Sequence, residues 1–441
     1  MNRRDFIKKT LIAVASGAIP LSSIDFIAEK VHASNTPVAS RTTQRIILYF
    51  DTHYKLDPER LTAPYDIKTY NETCNKTLIA SLSLHPNQAH FIGDIIDYNV
   101  AEWDLVKPTI NEIKKKFPDI QIYGLMGNHD FLYYKYRSFD NANFPSDLKD
   151  EVALKVAAPI LPNMSTVSVE GDASLVIANH KMAIISKRVE TGFPYNFDIV
   201  TAQRINKNTI KFTPPVLHNY SIGDYIRQGW SDTRAIGYFR NAFSNTETHK
   251  LTSPSNANYY TRAGNMLFIF ISLNHFHPLS QIGWMKMWPD EVEWFKELLE
   301  DNYKTCNIIV YTHEPPGADA DIGYPPRYNN WSKESVHQFQ SICREYHIPL
   351  WISGHIHYNW RDASRIYRPT AYGNTTILIG PALLLNNPNE GEFLTIDIED
   401  KSRNLTIKAY SVDSITGELN RAQLQMDGLK LPYPVDFSYK A

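Results

Sequence analysis

Cysteine is scarce in this chain: Cys74, Cys306 and Cys343 are odd in number and widely spaced over 441 residues. That argues against a disulfide framework and against a cysteine-based zinc knuckle, and leaves room for one disulfide at most. Long apolar runs are missing too. No stretch reaches the roughly 18 consecutive apolar residues of a spanning helix, so no membrane-spanning body is expected. Neither charge sign is in excess, with 45 basic side chains against 47 acidic ones, and nothing advertises a nucleic-acid-binding patch. What is plentiful is aromatic bulk, 26 Tyr, 20 Phe and 8 Trp, enough for a sizeable core. A composition of 43% hydrophobic and 21% charged residues is that of a globular chain of one large domain or two smaller ones.

The amino terminus is set apart from this body. Arg3 and Arg4 precede Phe6 and Lys8 in "NRRDFIKK", a short apolar stretch "TLIAVASGAIPL" follows, and Val31, His32 and Ala33 place small residues where a signal peptidase reads. Residues 1–33 therefore resemble a twin-arginine export signal, which implies the twin-arginine export machinery as a partner and a periplasmic or secreted location. Their removal takes away five basic and three acidic side chains and leaves 40 against 44, a formal charge of −4. Residues 34–44, "SNTPVASRTTQ", read as a polar linker.

From Arg45 onward, buried-strand patterns alternate with helical ones. "RIILYFD", "AHFIGDIID", "IQIYGLMGNHD", "CNIIVYTHE" and "IPLWISGHIH" are apolar runs of strand length. Helices are predicted over 106–117 and 291–302, the second from the helical spacing of Val292, Phe295, Leu298 and Leu299. The alternation predicts an α/β architecture with ligand sites at the carboxyl ends of strands. Residues 131–262 read as short strands and long loops more than as a second core, an elaboration within one catalytic domain spanning 45–417. "TILIGPALLL", "GEFLTIDIE" and "LTIKAYSVD" read as closing strands of a second sheet, and the tail of residues 418–441 carries no pattern.

Each of the five apolar runs ends in residues that can bind metal. In order these are Asp51 and His53, Asp94 with Asp97 three later, Gly127-Asn128-His129-Asp130, His313, and the pair His355 and His357. By themselves, histidines at i and i+2 of an extended chain share a face and could converge on one metal or one anion. The types suit a particular chemistry. Two divalent ions about 3.5 to 4 Å apart clamp the attacking and leaving oxygens of an in-line displacement, and need one bridging carboxylate with nitrogen and oxygen donors around each. Two aspartates leave such a pair with about two positive charges, a surplus that suits a phosphate ester and that neutral imidazoles and an amide preserve.

Five motifs in this order, each after an apolar run, resemble the calcineurin-like metallophosphoesterase superfamily from about Arg45 to Asp400. The resemblance implies a four-layer α/β/β/α sandwich with mixed sheets, and two divalent or mixed-valence ions, manganese, iron or zinc. It implies Asp51, His53 and His357 around the first ion, Asn128, His313 and His355 around the second, and Asp94 as the bridge. His129 then faces the leaving oxygen, with Asp97 holding its imidazole, and a metal-bridging hydroxide attacks a phosphomono- or phosphodiester. The chain lacks the D-x-G first motif of purple acid phosphatases and the G-D-x-x-D-R-G of protein serine/threonine phosphatases. The alternatives are a catalytically weak periplasmic binding protein that keeps the metal site, and a dimetal amidohydrolase, whose H-x-H pair lies near the amino end of a barrel. His275 and His277 could line the substrate cleft or pack near it, and Tyr133, Tyr134 and Tyr136 could wall it or simply pack; His85 and His90 read as structural.

Overall fold

The computed structural model describes residues 43–56, 66–97, 100–130, 152–176, 178, 180–185, 197–228, 232–248, 257–272, 289–316, 333–358, 366–384, 390–413 and 415–439. The export signal, nearly all of the linker, and His275, His277, Tyr133, Tyr134 and Tyr136 lie outside the described residues. The chain divides into two compact units, one of residues 1–132, 238–273 and 285–441, the other of 133–237 and 274–284.

The larger unit holds two six-stranded mixed sheets. The first is built from β1 (Thr43–Tyr49), β2 (Gln88–Ile92), β3 (Gln121–Leu125), β16 (Glu390–Glu399), β17 (Asn404–Asp413) and β18 (Leu419–Lys430), in the order β18-β17-β16-β1-β2-β3. The second is built from β10 (Tyr259–Ala263), β11 (Met266–Ile271), β12 (Asn307–Thr312), β13 (Leu350–Tyr358), β14 (Ile366–Tyr367) and β15 (Thr376–Pro381), in the order β10-β11-β12-β13-β15-β14. β1, β2 and β3 run parallel, as do β11, β12, β13 and β15.

Alternation along these continuous apolar runs explains the layering. Met266, Phe268 and Phe270 point into a core shared with Ile46, Leu48, Leu125 and Leu394 of the first sheet. Their neighbours Leu267, Ile269 and Ile271 point the other way, onto α4 (Pro289–Asn302) and α5 (Lys333–Tyr346) through Phe295, Leu299, Phe339 and Ile342. A strand covered on both faces has no polar side to show, so its sequence reads as unbroken hydrophobicity. On the outer face of the first sheet, α1 (Ile67–Ser81) lies on β16 and β17 with Tyr70, Cys74 and Leu78 buried, and α2 (Trp103–Lys116) buries Trp103, Val106, Ile110 and Ile113. This is the mixed α/β, four-layer arrangement expected from the sequence. All three cysteines are free and buried.

Two strand assignments differ from the sequence reading. β16 pairs antiparallel with β1, Ile46 opposite Ile396, so the runs "GEFLTIDIE" and "LTIKAYSVD" close the first sheet and not the second. Local pattern shows that a strand exists; which sheet it joins is decided by pairing across some 350 residues of sequence. The patternless tail supplies β18, which pairs with β17.

The second unit has its own core. β4 (Val152–Val156), β5 (Thr166–Glu170), β6 (His180–Ile185), β7 (Phe197–Asn206), β8 (Thr209–Thr213) and β9 (Tyr225–Gln228) close into a barrel in the order β4-β5-β8-β7-β6-β9. Its interior is filled by alternate residues of each strand: Leu154 and Val156, Val167 and Val169, Met182 and Ile184, Val200 and Ala202, Ile210 and Phe212. Mostly short strands, in which core residues alternate with polar ones as in Thr166–Glu170, give each segment little apolar signal, which is why these residues read as loops. A further helix, α3 (Asp232–Ala242), buries Phe239 against Trp103.

Among the described residues no helix is long and apolar enough to cross a membrane.

Candidate metal centre

The candidate ligands sit where the parallel strands of both sheets end. Asp51 and His53 follow β1, Asp94 follows β2, Asn128 and His129 follow β3, His313 follows β12, and His355 and His357 lie in the last residues of β13. The backbone turns sharply there. Nine non-glycine residues among those described have positive φ, and five are Asp51 (49°), His53 (45°), Asp94 (47°), His355 (72°) and His357 (55°). Each such residue costs of order 1–2 kcal/mol, a strain that persists only when the surrounding packing dictates it. Glycine relieves one close approach: Gly93 has φ +74°, and a Cβ there would stand 2.5 Å from Cγ of His313.

The left-handed backbone decides the fate of the histidine pair. β13 loses regular register with β15 between Ser353 and Tyr358, so the shared-face expectation for extended chain does not apply. His355 Nδ1 lies 2.9 Å from Asn128 Oδ1. His357 Nε2 lies 3.0 Å from Asp51 Oδ1 and 3.0 Å from His53 Nε2. The structure thus gathers three groups of donors, each with its atoms within 4.8 Å of one another: Asp51, His53, Asp94 and His357; Asp94, His313 and His355; and His53, Asp97 and His129. Asp94 belongs to the first two.

Do these residues fit metal ions? His313 Nδ1 lies 2.8 Å from the carbonyl oxygen of Ile92 and donates to it, so in the neutral ring Nε2 carries a lone pair. That nitrogen is 3.0 Å from Asp94 Oδ2, yet both atoms are buried and without a hydrogen bond. Two buried acceptors this close require a cation or a proton between them. In the metal-free chain a proton takes that place: burial opposes charge on His313, but Asp94 and Asp51 outweigh it and raise its pKa well above the usual value. Burial drives His53 and His355 down to about 4, which leaves both neutral with lone pairs available near neutral pH. Two carboxylates, four imidazoles and an amide oxygen suit first-row transition ions better than calcium or magnesium. The donor set fits a metal pair.

A second layer stands behind the donors. Asp97 Oδ1 is 3.3 Å from Nδ1 of His53 and 3.3 Å from Nδ1 of His129, and Lys55 Nζ approaches it to 3.4 Å. Burial pushes the Asp97 carboxyl up, but His129 and His53 hold it far below the usual carboxylate range. His129 Nδ1 also contacts the Asp97 carbonyl oxygen, its backbone N–H donates to Asp94 Oδ1 at 2.8 Å, and its Nε2 points toward Asp94 Oδ2 at 3.8 Å. Burial lowers the His129 pKa, yet Asp94 and Asp97 together raise it above the ordinary value.

Asp51, His53, Asp94, Asp97, Asn128, His129, His313, His355 and His357 therefore lie in this one cluster. Two more were not singled out. Asp130 accepts from the N–H groups of Ile95 and Ile96 at 2.9 and 3.0 Å and from Gly127 at 2.8 Å, clasping the Asp94 loop to the Asn128 loop. Burial and the charge of Asp94 raise its pKa to about 7. Its signal was present as the last letter of G-N-H-D. Lys55 had none beyond its place two residues after His53. His90 is a core residue, 2.9 Å from Gln88 Oε1 and packed edge-on against Phe270 and Tyr311.

The family model described as calcineurin-like phosphoesterase matches residues 51–232 and 224–359. Comparison with curated proteins gives no match. Among solved structures, the chain is similar to a dimetal phosphatase from Danio rerio, at 13% identity and TM-score 0.37 over 83% of this chain and 95% of that one. It is also similar to a purple acid phosphatase from yellow lupin seeds, at 11% identity and TM-score 0.41 over 86% and 53%. At such scores neither likeness bears on the chemistry.

Proposed function

The chain belongs to the calcineurin-like phosphoesterase family, and on that premise we propose that it is an exported two-metal enzyme that hydrolyses phosphomono- or phosphodiesters with His129 as the acid for the leaving oxygen. That it is a metal-dependent phosphoester hydrolase follows from the family. The observation that supports the finer reading is Asp94, shared between two donor groups, with an unbonded buried oxygen 3.0 Å from an unbonded imidazole nitrogen.

Bound in this site, two divalent ions would supply Lewis acidity toward the phosphoryl oxygens and would lower the pKa of a water. Asp51, His53 and His357 would hold one, Asn128, His313 and His355 the other, and Asp94, a member of both donor groups, would serve each. Five neutral donors against two carboxylates keep the site cationic for an anionic ester. His129 has Nδ1 occupied by Asp97, which fixes the ring and leaves the Nε2 proton as the one to give. Asp97 stabilises the imidazolium until transfer.

The test is hydrolysis by the mature chain of p-nitrophenyl phosphate, its bis-ester and a nucleotide panel, before and after chelation. Expected is turnover that chelation abolishes and manganese, iron or zinc restores, with the panel separating monoester from diester. Tight binding of esters with two metals and no turnover would instead support the binding-protein alternative. Export is proposed from "RRDFIK" alone: replacing Arg3 and Arg4 together by Lys is expected to leave the precursor inside the cell. Unchanged secretion of the double variant would remove the twin-arginine assignment and leave the enzymology untouched.

A further inference from the structure

Glu102 is completely buried at the start of α2. Leaving a carboxylate there is costly unless strong partners meet it. Its two oxygens are both committed to backbone donors: Oε1 accepts from Leu56 N–H at 2.9 Å and Oε2 from Asp97 N–H at 2.9 Å. Those donors belong to the two loops that carry the site, one running from Asp51 through His53 to Leu56, the other from Asp94 to Asp97. The loops already run side by side, His53 N–H on the Asp94 carbonyl and Tyr54 N–H on the Ile95 carbonyl, each at 2.9 Å. The Asp97 N–H also reaches the Tyr54 carbonyl at 3.0 Å, and Glu102 joins the two loops at this end of the ladder.

We propose that Glu102 is a positioning residue that clamps these loops and so fixes Asp97 against the His129 imidazole. Asp97 offers His129 both a carboxylate oxygen at 3.3 Å from Nδ1 and its carbonyl oxygen, so a shift of the Asp97 backbone moves both contacts at once. No other side chain among the described hydrogen bonds links residue 56 to residue 97. The proposal rests on the reading of His129 as the acid, and its test separates the two.

The test is a double-mutant cycle of Glu102→Gln with His129→Ala, read as kcat and KM on an alkyl phosphate ester and a p-nitrophenyl ester, with metal content and melting midpoint measured alongside. An amide can accept only one of the two N–H groups and turns its NH2 toward the other. Glu102→Gln alone is expected to lower kcat on the alkyl ester by roughly tenfold, the size of one lost buried hydrogen bond, with less effect on the p-nitrophenyl ester and with KM and metal content kept. In the His129→Ala background it is expected to add nothing. Multiplying losses in the double variant, unchanged kinetics in the single one, or loss of metal would overturn the proposal. Equal losses of His129→Ala on the two esters would remove the acid assignment, while the cycle still reports whether Glu102 acts through His129. If Glu102→Gln fails to fold, Glu102→Asp, with both acceptor oxygens kept one bond shorter, carries the same cycle.

Discussion

Asp94→Asn is expected to leave the fold standing and to empty both metal positions. The sheets do not depend on this side chain, whereas both donor groups do: its Oδ2 lies 3.0 Å from His313 Nε2 and 3.7 Å from His53 Nε2, and its Oδ1 accepts the His129 N–H. The amide replaces one of these oxygens by a donor and removes the negative charge between the two clusters. Losing an outer-shell partner of a metal ligand already costs about 10- to 100-fold in affinity. A residue that touches both donor sets should cost more at each, and activity should fall by at least about 100-fold. Metal content by mass spectrometry of the purified variant, beside its circular-dichroism melt, checks this. An Asp94→Asn protein with two ions and full activity would end the bridging assignment; one that does not fold would show that the carboxylate also stabilises the loops.

His129→Ala is expected to keep both metals and to lose rate according to the leaving group. The imidazole is anchored from Nδ1 by Asp97 and contributes no atom to either of the donor groups centred on Asp94. A positioned general acid contributes about 10²- to 10⁴-fold. That contribution is largest for a poor leaving group. The loss should therefore approach the full range on an alkyl phosphate ester and be smaller on a p-nitrophenyl ester, whose phenolate departs unprotonated. Equal losses on both esters, or loss of metal, would make His129 a substrate-orienting or ligand-supporting residue.

The site was far more legible in the sequence than the architecture around it. Asp51, Asp94, Asn128 and His313 drew notice because both sheets bury their parallel strands on two faces, and each of these residues follows soon after its apolar run ends, whereas His355 lies inside β13 in the irregular stretch after Ser353. The same burial hid the assembly. Nothing local in "GEFLTIDIE" says that it pairs with β1, because any apolar strand satisfies that edge. The barrel was missed for the opposite reason: with one residue in two facing its core, Val167 and Val169 stand among Thr166, Ser168 and Glu170. Glu102 and Asp130 act through backbone N–H groups distant in sequence, and such contacts leave no spacing to read.

In the proposed reaction, Asp94 stands between two cation sites of one catalytic centre. The direct measurement is a titration of the metal-free mature chain with manganese, zinc or ferrous ion, following bound metal and ester hydrolysis in the same samples. Expected are two ions per chain at saturation, with hydrolysis appearing as the second is taken up. Saturation at one ion, or full hydrolysis with none bound, would contradict it.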